Sequence, residues 1–228
     1  MQYLGGKEKI SKKICNFLES VRKPGQLFVD LTVGGCSIIS KMQYPKEGYD
    51  LHPALISLYK KLCEGDVELP DIITQEEYKA ARAFSDDNPL KAFIGFGCSF
   101  SGRYFKGFAR NSRGCNYAKS AKNSLIKKFK TLQNVKFEQL DLFLYEGCGN
   151  LIYIDPPYKG TTKYSIKFDY NLFWNKVREL SKNNDVYVSE YNAPDDFLCV
   201  LELKKKLGLR KLDKGQVVTI EKVFKYKG

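Results

Sequence analysis

The chain has 228 residues, with 38 lysines and arginines against 26 aspartates and glutamates, a formal charge of +12. That length suits one α/β domain with an insertion and a proper core, and the charge favours a polyanionic partner. One histidine, His52, and seven cysteines without a Cys-x-x-Cys pair argue against a histidine triad, a multi-histidine metal centre and a zinc or disulfide framework. The odd cysteine count suits a reducing cytoplasm. No apolar run reaches membrane-spanning length, and the first seven residues do not read as a signal peptide.

From the N-terminus, residues 7–21 place Ile10, Ile14, Phe17, Leu18 and Val21 on one helical face, and Pro24-Gly25 ends that helix. Leu27-Phe28-Val29-Asp30 reads as a buried strand delivering a carboxylate. Gly34-Gly35-Cys36-Ser37 is a glycine turn, and 37–42 a helix start. Strand, turn and helix make the first half of a nucleotide-binding βαβ unit. A second strand ends in Asp50, about 20 residues on, the separation expected of a ribose-binding acid. Pro53 opens the next helix, where its missing N–H costs nothing, and His52 is a turn residue. Loop chemistry would also account for two glycines and a later acid.

Between residues 64 and 133 the pattern changes. Stretches 71–84, 88–96 and 120–132 have helical spacing. Residues 97–110 form a glycine-punctuated loop alternating aromatic and basic side chains. No acid lies between Asp87 and Glu138, a window holding Lys91, Arg103, Lys106, Arg110, Arg113, Lys119, Lys122, Lys127, Lys128, Lys130 and Lys136. Such a stretch suits phosphate contacts with base-edge or stacking contacts. The alternative is a basic surface loop whose aromatics pack inward. A second basic run lies at 204–206 and 210–211.

The sheet resumes at 135–138, followed by Asp141 and by Leu151-Ile152-Tyr153-Ile154-Asp155-Pro156-Pro157-Tyr158. Four apolar residues read as a buried strand. The proline pair stops it where the carboxylate sits, at the strand edge where open α/β sheets bind ligands. A helix at 171–181, a strand at 185–189 and an antiparallel pair at 198–203 and 217–226 complete the chain.

These residues, in this order, resemble the Dam-like, phage-type adenine-specific DNA methyltransferases with an Asp-Pro-Pro-Tyr catalytic motif. The resemblance implies a Rossmann-like sheet dependent on S-adenosylmethionine, with a catalytic domain over 1–63 and 134–228 and a small, mostly helical recognition insertion over 64–133. It assigns the cofactor to Tyr3, Lys7, Asp30, Gly34, Gly35, Asp50, Asp141 and Asp155. Lys7 would hold the methionine carboxylate, although a solvated first-turn lysine is the plainer alternative, and Asp50 the ribose. Catalysis falls to Asp155, Pro156, Pro157 and Tyr158, and no metal is required. The Asp155 carboxylate and Pro156 carbonyl would aim an exocyclic amine, and Tyr158 would stack on a flipped base. Tyr164 is a candidate second wall. Ser99, Arg103, Tyr104, Lys106, Arg110 and Arg113 would meet duplex DNA. The implied enzyme is a cytoplasmic monomer or weak dimer with no membrane contact. Two positions depart from the family pattern: Thr32 stands where phenylalanine is usual, and Cys36 where a glycine is frequent. N4-cytosine methylation and a non-catalytic DNA-binding role are the alternatives.

Overall fold

The computed structural model describes residues 1–110, 114–158, 168–206 and 218–228. Its frame is one sheet of β1 (Phe28–Asp30), β2 (Lys46–Asp50), β3 (Lys136–Gln139), β4 (Leu151–Ile154), β5 (Asp185–Glu190), β6 (Phe197–Lys206) and β7 (Val218–Tyr226). The strand order is β3-β2-β1-β4-β5-β7-β6. The first five neighbours pair in parallel, and β7 runs antiparallel to both β5 and β6. The order reverses between β1 and β4, the switch point where doubly wound sheets hold ligands.

Both faces of the sheet are covered, which is why β1, β4 and β5 read as nearly unbroken apolar runs. Alternate residues serve opposite cores. Phe28, Leu151, Tyr153 and Tyr187 pack with Ile14 and Leu18 of α1 (Ser11–Val21) and with Leu55, Leu58 and Tyr59 of α2 (Pro53–Glu64). Val29, Ile152, Ile154, Val186 and Val188 pack with Phe173, Trp174 and Val177 of α6 (Tyr170–Ser181). The protein is thus a mixed α/β, Rossmann-like fold.

Between β2 and β3 the chain inserts α3 (Gln75–Ala80), α4 (Pro89–Gly97) and α5 (Tyr117–Phe129). Their starts are set locally. Thr74 and Glu77 form a reciprocal capping box, and Asn88 and Asn116 accept from backbone amides of the first turns of α4 and α5. Tyr78, Phe93, Phe96, Leu125 and Phe129 join the same core as α1 and α2, so the insertion has no separate core of its own.

Two helices are shorter than their spacing predicts. The segment 37–42 makes only a 3-10 turn, Ile39–Lys41. Pro45 and the immediate start of β2 at Lys46 leave no room for a helix. In 71–84 the helical part is α3 and one 3-10 turn, Ala81–Ala83. The closing antiparallel pair is β6 and β7, with a bulge between Cys199 and Leu201.

Candidate active site and nucleic-acid interface

Three parallel strands end in or just before a carboxylate at the switch point. Asp30 closes β1 and Asp50 closes β2, while Asp155 follows β4 directly. Register fixes their relation: Asp30 lies opposite Tyr153, so Asp155 stands one pleat beyond it. Thr32 ties the two loops together, because its Oγ1 accepts the Asp155 amide at 2.7 Å. The departure at position 32 therefore puts a hydrogen-bond acceptor where an aromatic ring is usual.

The glycine turn is held from two sides. Gly34 has φ +43°, and a Cβ there would stand 2.8 Å from the Tyr3 ring, which also covers Gly35. The Gly34 amide donates to Asp50 Oδ2 at 2.9 Å, and the His52 amide to Oδ1 at 3.0 Å. Each Asp50 oxygen retains a lone pair for a ligand hydroxyl. Cys36 adopts a left-handed φ of +54°, the conformation for which glycine is the ordinary choice. Beyond β3, Asp141 accepts the Phe143 amide at 3.1 Å and caps a 3-10 turn.

Burial pushes the Asp30 carboxyl up to about 8, with the neighbouring Asp155 and Asp50 charges adding to it and the Thr32 amide opposing. Burial also raises Asp50, against the backbone amides of His52, Gly34 and Leu51. The carboxyl oxygens along this sheet edge suit a ribose-bearing ligand.

The Asp155 carboxylate is anchored at one oxygen. Lys7 Nζ lies 2.7 Å from its Oδ1 and 3.4 Å from Glu221 Oε1. Burial opposes the Lys7 charge, but Asp155 and Glu221 outweigh it and hold the ammonium above its ordinary value. Lys7, expected to hold a cofactor carboxylate, lies buried against the Asp155 carboxylate in this structure. Asp155 Oδ2 accepts no hydrogen bond from the described residues. Downstream, the Pro157 carbonyl accepts the Tyr170 hydroxyl at 2.7 Å.

Tyr158, expected to stack on a flipped base, is enclosed in this structure. It is 9% exposed, the Lys7 ammonium lies 4.5 Å from its ring centre, and Tyr191 meets it edge-on at 4.7 Å. Its hydroxyl donates to Glu221. A ring so enclosed anchors the tetrapeptide rather than offering an open stacking surface. Glu221, Tyr170 and Tyr191 were missed from sequence; only their positions in a strand, at a helix start and after a strand were legible.

In the loop of residues 97–110, Ser99 is fully buried, with its hydroxyl 2.7 Å from Tyr78 Oη and 2.5 Å from the Gly95 carbonyl. It props the loop and does not face a nucleic acid. Tyr104 turns inward as well, packing on Phe96, His52 and Phe105 at 4.4–4.8 Å. The inward-packing alternative holds for this ring. Arg103, Lys106 and Arg110 are exposed and make no ion pair within the described residues. Phe100, 62% exposed beside them, is the aromatic that the loop presents outward. Arg113 and Tyr164 lie outside the described residues.

The acid-free window is partly neutralised from elsewhere in the chain. Lys91 pairs with Asp86, Lys119 and Lys122 with Asp71, Lys128 with Glu8 and Lys136 with Glu138. Arg103, Lys106, Arg110, Lys127 and Lys130 remain without an acid among the described residues. Helices of the described residues include none long and apolar enough to cross a membrane.

The fold and the acids at its switch point define a Rossmann-like α/β domain with a nucleotide-type ligand site and a basic loop beside it. Residues 3–93 match the family model of the D12 class N6 adenine-specific DNA methyltransferases. The match spans the Tyr3-to-Lys7 segment, the glycine turn, Asp50 and α2, and ends within α4. Solved structures similar to the chain include a putative RNA methyltransferase from Pyrococcus horikoshii, at 10% identity over 99% of this chain and 86% of that one, with a TM-score of 0.46. An rRNA methyltransferase, aviRa from Streptomyces viridochromogenes, aligns at 11% identity over 97% and 85%, TM-score 0.47. A putative methyltransferase, yhhF from Escherichia coli, aligns at 11% over 98% and 89%, TM-score 0.39.

Proposed function

We propose that this chain is an S-adenosylmethionine-dependent methyltransferase that modifies adenine N6 in duplex DNA after flipping the base. The observation that carries the reading is Asp155: it follows β4 at the switch point, with Oδ1 fixed on Lys7 at 2.7 Å and Oδ2 left for a substrate amine. The match of residues 3–93 to the adenine-specific family supports the choice of base. The recognition region is 64–133, inserted in a catalytic domain of 1–63 and 134–228.

The donor set fits the cofactor. Asp50 offers two lone pairs to ribose hydroxyls, the Tyr3-packed glycine turn lines the approach, and the Asp155 carboxylate suits a sulfonium charge. Asp141, half-buried past β3, sits where the adenine end of the cofactor would lie. When bound, S-adenosylmethionine supplies an electrophilic methyl group.

The protein's own part is aim. An adenine amine is a poor nucleophile because its lone pair is delocalised into the ring. Accepting its hydrogens at Asp155 Oδ2 and the Pro156 carbonyl favours a pyramidal nitrogen with its lone pair exposed. Lys7, Thr32 and Tyr170 hold that acceptor pair before substrate arrives, so little reorganisation is left for the reaction. Arg103, Lys106 and Arg110 meet phosphates, and Phe100 meets the bases.

The test is transfer of labelled methyl groups to plasmid DNA, followed by base analysis of the product. N6-methyladenine is expected. Label confined to cytosine would move the reading to N4-cytosine, and no label in DNA of varied sequence would refute methyl transfer to DNA.

A further inference from the structure

Glu221 has no part in the chemistry described so far, yet it is a fully enclosed carboxylate beside Asp155. It is 2% exposed in β7, opposite Leu203 of β6. A buried acid in a sheet is expensive without partners, and this one takes two. The Tyr158 hydroxyl donates to its Oε1, and Lys7 Nζ stands 3.4 Å from the same atom. Lys7 thus bridges two carboxylates, Asp155 and Glu221, and is the only cation in that cluster among the described residues. Tyr191 packs on Tyr158 from the other side, and Glu190, at the end of β5, accepts the Tyr191 amide.

The arithmetic of charge gives Glu221 a purpose. Lys7 and Asp155 alone form a neutral pair. In methyl transfer the carbon–sulfur bond breaks with its electrons left on sulfur, and the amine lone pair forms the new nitrogen–carbon bond. The positive charge passes from sulfur to nitrogen, and a proton then leaves that nitrogen for solvent. A cation is therefore present from donor to product, and a neutral pair does little for it.

We propose that Glu221 is a positioning residue that keeps the Lys7–Asp155 pair oriented through Lys7 and Tyr158 and leaves the site one negative charge in excess, matched to a reaction that stays cationic. The proposal rests on the methyl-transfer reading above. It requires Lys7 for orientation and Glu221 to offset the charge that Lys7 brings.

The test uses the full chain and two probes, S-adenosylmethionine, which is cationic at sulfur, and S-adenosylhomocysteine, which is neutral there. Titration calorimetry gives the ratio of their dissociation constants. In Glu221→Gln, which keeps a side-chain acceptor for Tyr158, the preference for the cationic ligand falls by about 10-fold, the scale of one unit charge acting across roughly 10 Å of protein. Lys7→Met moves the ratio the other way, and Lys7→Met/Glu221→Gln returns it to the wild-type value. If Glu221→Gln does not fold, the Lys7→Met variant and the double variant carry the same contrast. Single-turnover methyl transfer should follow the same order at Glu221, with Glu221→Gln slower by about 100-fold and Glu221→Asp recovering part of the loss. A ratio unchanged across the variants overturns the proposal and leaves methyl transfer standing. Failure of the wild type to bind either ligand removes the underlying reading instead.

Discussion

Asp30→Asn tests whether the first strand delivers a neutral carboxyl to the site. In the native protein this group is fully enclosed and rises from 3.8 to about 8. At pH 7 the unfolded chain carries it ionised, whereas the folded chain carries it mainly protonated. Folding therefore takes up a proton, which costs about 4 kcal/mol at pH 7. Because the folded value is raised, stability falls as pH climbs from about 4 and levels off above about 8. The slope between is about 1.4 kcal/mol per pH unit from this group. Asparagine keeps an oxygen for the Thr32 amide, 3.2 Å away in the wild type, and has no proton to take up. Its advantage over wild type should widen by about 3 to 4 kcal/mol between pH 5 and pH 8. Urea unfolding of both proteins at four pH values measures this, and titrations common to both cancel in the difference. A difference that stays constant with pH would show that Asp30 is ionised in the fold and would refute the reasoning.

Asp155→Ala should lower single-turnover methyl transfer by 10²-fold or more, on the order of a lost electrostatic stabiliser, with DNA affinity in a gel-shift assay retained. Wild-type-like turnover would remove Asp155 from the chemistry. With five basic residues of the 88–137 window free of acids among the described residues, the log–log salt slope of DNA binding should lie near −4 to −5, about −0.9 for each phosphate met. Arg103→Ala should cut that slope by about 0.9, whereas Lys122→Ala, whose charge is already on Asp71 at 2.8 Å, should change it little. Gly95→Ala would place a Cβ 2.5–2.7 Å from the Tyr104 and Phe105 rings. It should cost about 1–3 kcal/mol by overpacking and weaken DNA binding while S-adenosylhomocysteine affinity, read by calorimetry, holds.

What was legible in the sequence is what depends on neighbours in the chain. Leu151 to Ile154 followed by Asp155 and two prolines announces a buried strand that must stop at an acid, and Phe28-Val29-Asp30 does the same for β1. Capped helices such as the one opened by Asn88-Pro89 are equally local. Glu221 was not legible, because its partners Tyr158 and Lys7 are distant in sequence and a polar residue in an edge-side strand normally faces water. The basic window misled for the same reason. Its lysines look unopposed along the chain, but Asp71 and Glu8 fold against them. Tyr104 and Ser99 read as loop residues, yet Gly95 and Tyr78 draw them into the core.

The same distinction bears on what Asp155 does. A carboxylate meant to strip a proton would be left mobile and without a nearby cation, since a bound ammonium favours its ionised, weakly basic form. Asp155 instead has Lys7 at 2.7 Å on one oxygen, Thr32 on its amide, and a proline pair after it whose second carbonyl is held by Tyr170. Each of these restraints removes freedom and fixes direction. Such an arrangement suits a group that accepts the hydrogens of an amine and turns its lone pair towards an electrophile. Proton loss then needs no base in the protein, because a methylated aminopurine nitrogen is acidic while it is still cationic. The cluster of Lys7, Tyr158 and Glu221 is accordingly a scaffold for aim: it fixes where Oδ2 points, and Glu221 offsets the positive charge that Lys7 brings to Asp155.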